Sequence, residues 1–261
     1  MNNIFNLQRF FKLFNKHTTE HYKSYLISTA VFIGILSLMM GCTAYLSGGQ
    51  LGTNAQFGYF YIFLFLSGAV FTSIIFAGLG DKKKSIPALT LPVSHFERFL
   101  VGWVYSYLIF QVIFIICFFT VDLIIINIGN LNPDVKNVLI NMGEHKDKLL
   151  IGFLIFALLH GATFLGAIFF EKMHFIKTAF AIFIVLIIIQ LLNIPLMDFF
   201  FKNGTRVQPL FAGVSLHGPG KDEHIYIGPS DHSYTIVITM IFVVTLVLWA
   251  ASFFKLKEKQ V

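Results

Sequence analysis

Six apolar runs, each close to the roughly 20 residues a helix needs to cross a hydrocarbon core about 30 Å thick, leave this chain few ways to fold. They fall at about 26–46, 57–77, 99–122, 149–170, 176–197 and 234–254. In lipid every backbone N–H and C=O must be paired, so runs of this length predict α-helices. Composition agrees: of 261 residues 56% are hydrophobic and only 12% charged, where an average soluble domain carries roughly 25% charged residues. The expected fold class is all-α, a polytopic membrane protein with about six transmembrane helices and an N-terminal amphipathic interfacial helix, built as one transmembrane domain. No length remains for a soluble catalytic domain.

Ahead of the first run, residues 1–25 interleave charge with apolar side chains, which is not the pattern of a secretory leader. Ile4, Leu7, Phe11 and Phe14 fall on one helical face and Arg9, Lys12 and Lys16 on another. That pattern predicts an amphipathic helix lying along the cytoplasmic leaflet. The net charge of +6 would suit nucleic acid only if the basic residues shared a solvated face. They sit beside the apolar runs instead, as orientation signals do, and nucleic acid is excluded as a partner. With the N-terminus inside, thirteen of the 19 basic residues are cytoplasmic and six lie in outer loops, so the positive-inside rule places both termini in the cytoplasm. Cys42 and Cys117 lie inside apolar runs and read as small hydrophobes.

The segment 78–98 between the second and third runs carries more information than its length requires. It combines Lys82, Lys83 and Lys84 with Pro87 and Pro92, a strip of Leu89, Leu91 and Val93, and the acid-base pair Glu97 and Arg98. Basic and apolar residues in this order predict a segment that lies on the membrane surface and presents a shaped face to the cytoplasm. Of the outer loops, the one at about 129–148 balances Asp134, Glu144 and Asp147 against three lysines and reads as a solvated connector. The large outer loop at 198–233 holds Pro209, Pro219 and Pro229 and an apolar patch at 210–216. Its His217, Asp222, Glu223, His224, Asp231 and His232 are metal-binding types, but their spacing matches no familiar zinc arrangement and the expected metal set is none.

Polar residues within spans are the more selective signals, because an unpaired one in hydrocarbon is costly. His160 stands mid-run among Ala157, Gly161, Ala162 and Gly166, where small residues let helices approach and an interhelical hydrogen bond is expected. Gln111, Gln190 and Asn193, with Asp122 near the outer end of the third run, invite the same reading. Together with His160, the amides Gln111, Gln190 and Asn193 could also line an intramembrane polar path. There is no G-x-x-x-x-G-K-[ST] phosphate loop and no H-E-x-x-H pair. Catalytic residues and a cofactor of its own are therefore not expected in this chain.

The stretch ALTLPVSHFERFLVGW at 88–103, together with six runs and a basic amphipathic N-terminus, resembles the membrane-spanning permease subunit of an ABC-2 type transporter. The family's basic residue after Pro-x-Ser is replaced here by His95, with Arg98 three positions on. The resemblance implies that 78–98 holds a coupling helix, with Leu89, Leu91, Pro92, Ser94, Glu97 and Arg98 as its partner-coupling residues. It implies a separate ABC ATP-binding subunit carrying ATP and magnesium, and a second permease copy or related permease making a dimer in the membrane lipids. It also implies short re-entrant helices in the last outer loop, for which 210–216 is the plausible place. The function so implied is substrate export across a bacterial cytoplasmic membrane. Two alternatives stay open at this point: a scaffold or sensor that docks a cytoplasmic regulatory partner through the same segment, and a histidine-dependent membrane enzyme.

Overall fold

The computed structural model describes residues 5–75, 94–133, 135–170, 173–201, 214–217, 224–227 and 230–258. Six helices among them are long and apolar enough to cross a membrane, and the chain is an all-α multi-pass membrane protein. In order they are α1 (Leu7–Leu46), α2 (Thr53–Ile75), α3 (His95–Gly129), α4 (Lys146–Phe169), α5 (His174–Phe201) and α6 (Asp231–Glu258). A two-stranded antiparallel hairpin, β1 (Val214–His217) with β2 (His224–Ile227), stands between α5 and α6.

Cross-contacts fix the directions. Asn6 meets Glu97 at one end of α1 and α3, and Gly49 meets Gly129 just beyond the other end, so these two helices run parallel. Contacts of Thr43 with Tyr59, Phe32 with Phe63 and Tyr25 with Phe71 run in opposite order along the two helices and set α2 antiparallel to α1. Gly152 against Tyr61 with Phe156 against Gly68 aligns α4 with α2, Gly161 against Leu248 with Phe169 against Lys255 aligns it with α6, and Gly166 against Thr178 with Phe170 against Lys177 opposes α5 to it. The helices therefore alternate, and Asn6 and Glu258 lie on the same face, here the near face. Lipid tails are as apolar as leucine, so packing and polar bonds, not water expulsion, hold such helices together. The glycines do that work at Gly68, where a Cβ would collide with the Phe156 ring, and at Gly161, where it would press tightly on the Leu248 side chain. The far half of the bundle is filled by Leu36, Met40, Phe60, Leu64, Phe114, Phe118 and Phe156.

Several expectations change. Residue 25 is not a helix boundary. With Asn6 capping its start at Gln8 and Arg9 N–H and no proline or glycine before Gly34, α1 runs unbroken for 40 residues, about 60 Å at 1.5 Å per residue. Its basic segment is thus the lower part of the first span's own helix. The third span reaches Gly129, beyond the expected 122. The loop after it is only partly the solvated connector expected: Lys136, Val138 and Glu144 are exposed, but Val135 and Ile140 are buried, which draws 135–140 onto the bundle. Gln56, itself fully buried, straps this segment down, donating to Leu51 O (2.8 Å) and Val138 O (3.0 Å) and accepting from Ile140 N–H (3.2 Å). Asn137 accepts from Leu51 N–H (2.8 Å) and donates to Gly49 O (2.8 Å); Gly49 has φ +94, a value glycine adopts without strain. Finally, the end of the 210–216 patch is not a re-entrant helix. Val214 to Leu216 are in β1, where β-branched and alternating residues favour strand pairing, with Val214 opposite Ile227 and His217 opposite His224.

Candidate functional site

Between α1, α2 and α3 lies a cavity of about 430 Å³, within the range of small-molecule sites. Its floor is a run of rings: Phe32 on Phe114 (5.5 Å between centroids), Phe110 on Phe114 (6.0 Å) and Phe71 on Phe110 (5.6 Å). Its rim is exposed on the outside of the bundle, at Val31, Leu66, Ile74 and Ile113. Two of the three Ser and Thr hydroxyls that line it are bonded within their own helices: Thr29 Oγ1 donates to Tyr25 O (2.9 Å) and Ser67 Oγ to Phe63 O (2.5 Å), the third being the exposed Ser28. With those two donors occupied, the walls present little but hydrocarbon.

The near end of the groove is different. Tyr25 and Tyr105 line it, and behind them stand His17, stacked on His21 at 4.5 Å, and Thr18. The Tyr25 hydroxyl bonds His17 Nε2 (2.6 Å), the Tyr105 hydroxyl bonds Thr18 Oγ1, and Phe14 stacks on Tyr105 at 4.8 Å. Tyr105 lies in a π-helical turn of α3 at Val104–Ile109. Such a turn adds a residue and rotates the side chains beyond it, and it is frequent at functional sites. Tyr105 faces α1, while Ser106 and Tyr107 face α4 and α6.

There they meet His160, which is fully buried. Trp249 Nε1 donates to His160 Nδ1 (3.1 Å). Because indole is a donor only, Nδ1 must be bare and Nε2 carries the proton. Nε2 then donates to Ser106 Oγ (2.9 Å), which donates to Gly102 O (2.7 Å). The chain Trp249, His160, Ser106, Gly102 is closed, every donor meeting an acceptor, and it ties α3, α4 and α6 at mid-bundle. His160 makes no bond to Gln111, Gln190 or Asn193. Gln111 is half-buried on α3, and Gln190 and Asn193 are half-buried on α5.

At the near face, Ser94 and Glu97 form a capping box that starts α3: Ser94 Oγ accepts from Glu97 N–H (3.2 Å) and Glu97 Oε2 from Ser94 N–H (2.9 Å). The other oxygen, Oε1, accepts from Asn6 N–H (2.7 Å) and Arg9 Nη2 (3.1 Å). Glu97 is fully buried, and its carboxylate is satisfied inside this chain by residues some ninety positions away. Arg98 is half-buried beside it. Leu89, Leu91 and Pro92 fall outside the described residues, as does the metal-binding-type set of the last loop apart from His217, His224, Asp231 and His232.

Sequence reasoning missed the groove, because no single helix owns it, and the Glu97 brace, although the S-x-x-E spacing of Ser94 and Glu97 signals a capping box. Asp122 is the other outlier: it is fully buried, and neither carboxylate oxygen has a partner among the described residues. No group of three metal-ligating side chains forms among the described residues. Comparison with protein-family models, curated proteins and solved structures gives no match, so any functional reading rests on the sequence and the geometry of the chain itself.

Proposed function

We propose that this chain is the permease subunit of an ABC-2 type exporter, coupling ATP hydrolysis by a separate ATP-binding subunit to outward movement of a substrate across a bacterial cytoplasmic membrane. The near face is then the cytoplasmic one. The observation that carries the reading is the Glu97 brace. A surface segment can drive transmembrane helices only if it is rigidly attached to them, and 78–93 leads directly into a capped helix start whose carboxylate grips the beginning of α1. A push on that segment moves α1 and α3 together, and these are two of the three walls of the groove. The interface itself falls to Leu89, Leu91 and Pro92, with Glu97 as the attachment behind it.

Purification of the tagged protein from its native membrane in mild detergent, with mass spectrometry of whatever accompanies it, tests the reading. An ATP-binding-cassette subunit in stoichiometric amount is the expected result, its ATPase activity changing on reconstitution with this chain. Recovery of the chain alone, or with an unrelated cytoplasmic protein, would move it to a scaffold.

A further inference from the structure

We propose that the groove between α1, α2 and α3 is a binding site for one acyl chain of an anionic phospholipid, with the headgroup at the Tyr25 and Tyr105 end. The case rests on the asymmetry of the cavity. Between Tyr25 and Ile35 its length along α1 is about 15 Å at 1.5 Å per residue. Over that length the floor is aromatic, the rim aliphatic, and the hydroxyls of Thr29 and Ser67 are turned away into their own helices. A polar or hydrated ligand would find only the Ser28 hydroxyl there, and leaving its other groups unpaired is costly. A flexible hydrocarbon chain needs none. The exposed Val31, Leu66 and Ile74 show that the cavity opens sideways, so a chain enters from the bilayer without crossing a polar surface.

Apart from Ser28, Thr29 and Ser67 along the walls, the polar groups gather at one end. Tyr25, Tyr105, His17 and His21 gather phenols and imidazoles where a glycerol-phosphate would sit. The same turns of α1 carry Lys16, paired with Glu20 at 3.7 Å, and the exposed Lys23, a net positive charge, and a basic residue at this depth draws anionic lipid at about 1 kcal/mol. A second helix of protein is a poorer occupant: at about 430 Å³ the cavity is far smaller than a helix about 10 Å across. The lipid site stands on the cavity itself. That the bound lipid is also the exported substrate rests on the exporter reading above.

The test uses the full chain in nanodiscs with a trace of phosphatidylglycerol carrying a diazirine at the end of one acyl chain. After illumination, labelled peptides are mapped by mass spectrometry. Expected is labelling concentrated on the groove walls of α1, α2 and α3, competed by unlabelled phosphatidylglycerol and about tenfold less by phosphatidylcholine. Ser28→Phe with Ser67→Phe, which put rings into the cavity from its lipid side, should abolish it, and Leu191→Phe on α5 should not. Labelling spread evenly over all lipid-facing helices, or not competed by excess lipid, overturns the proposal in the unmodified protein, so no variant has to fold for the answer. Loss of the lipid site would leave co-purification of an ATP-binding subunit untouched. Absence of that subunit with saturable labelling would keep the site and remove only its role in export.

Discussion

Helices α4 and α5 are of similar length and adjacent in the chain, and α5 is the more apolar of the two, yet they are packed in opposite ways. Half of the most apolar stretch of α4 is buried inside the bundle and none of that of α5. Apolarity does not separate them. What α4 has is relief and a polar anchor: Gly152 admits the Tyr61 ring, Gly161 the Leu248 side chain and Gly166 the Thr178 side chain, and His160 bonds to two other helices. The α5 helix has Thr178 as its one buried side chain among the described residues and is otherwise half-buried at a few positions, such as Phe175, Gln190 and Asn193, with most of its surface exposed. In a medium that solvates leucine as well as protein does, only close fit and hydrogen bonds give a helix a reason to prefer protein to lipid.

The largest way to break this contrast is His160→Ala. It opens a cavity at mid-bundle and orphans Ser106 and Trp249, and should lower the stability of the detergent-solubilised protein by about 4 kcal/mol, toward the upper range for large-to-small core changes. If His160 is a tie between helices and not a proton carrier, His160→Gln should recover part of that loss in a thermal melt. Next comes Glu97→Ala, which removes the acceptor of three bonds and should cost about 3 kcal/mol, the low end for a broken buried pair since Arg9 keeps partial access to solvent. Disulfide trapping between cysteines placed at positions 7 and 96 would show whether α1 has come away from α3. Gly161→Leu should cost about 2 kcal/mol by overpacking against α6, read as a fall in melting temperature with far-ultraviolet helicity retained. Smallest of all, Leu186→Ala and Leu191→Ala on α5, both exposed, should each stay within about 0.5 kcal/mol, as for surface positions. A loss above about 1 kcal/mol at either, beyond the usual surface range and accompanied by a drop in oligomer size, would mean that another protein chain and not lipid covers α5, and the contrast with α4 would dissolve.

The Glu97 brace and the strap at 135–140 differ in how far they can be foreseen. Both close the ends of the bundle, and both use an amide or a carboxylate that takes three hydrogen bonds at once. At the near face the donors are Asn6, Arg9 and Ser94; at the far face Gln56 serves Leu51, Val138 and Ile140. The S-x-x-E spacing made the first partly legible. The second gave no sign, since a single glutamine near the start of an apolar run reads as the edge of a span.

The sequence by itself determined the number of spans, their approximate limits, the all-α class and the near-face clustering of basic residues. These come from hydropathy and charge summed over short windows, and the cost of exposing a backbone polar group to lipid is incurred segment by segment, whatever the neighbours are. It also marked His160 as a residue that needed a partner. Which partner it took, where Glu97 sent its carboxylate, that α1 continues without a break through residue 25, and that three helices leave a groove between them were decided only by the tertiary structure. Those features depend on side chains about fifty to ninety residues apart arriving at one level of the bundle, and on a π-turn that shifts the phase of α3 after Val104–Ile109. Neither registers in a local pattern of apolar and polar residues.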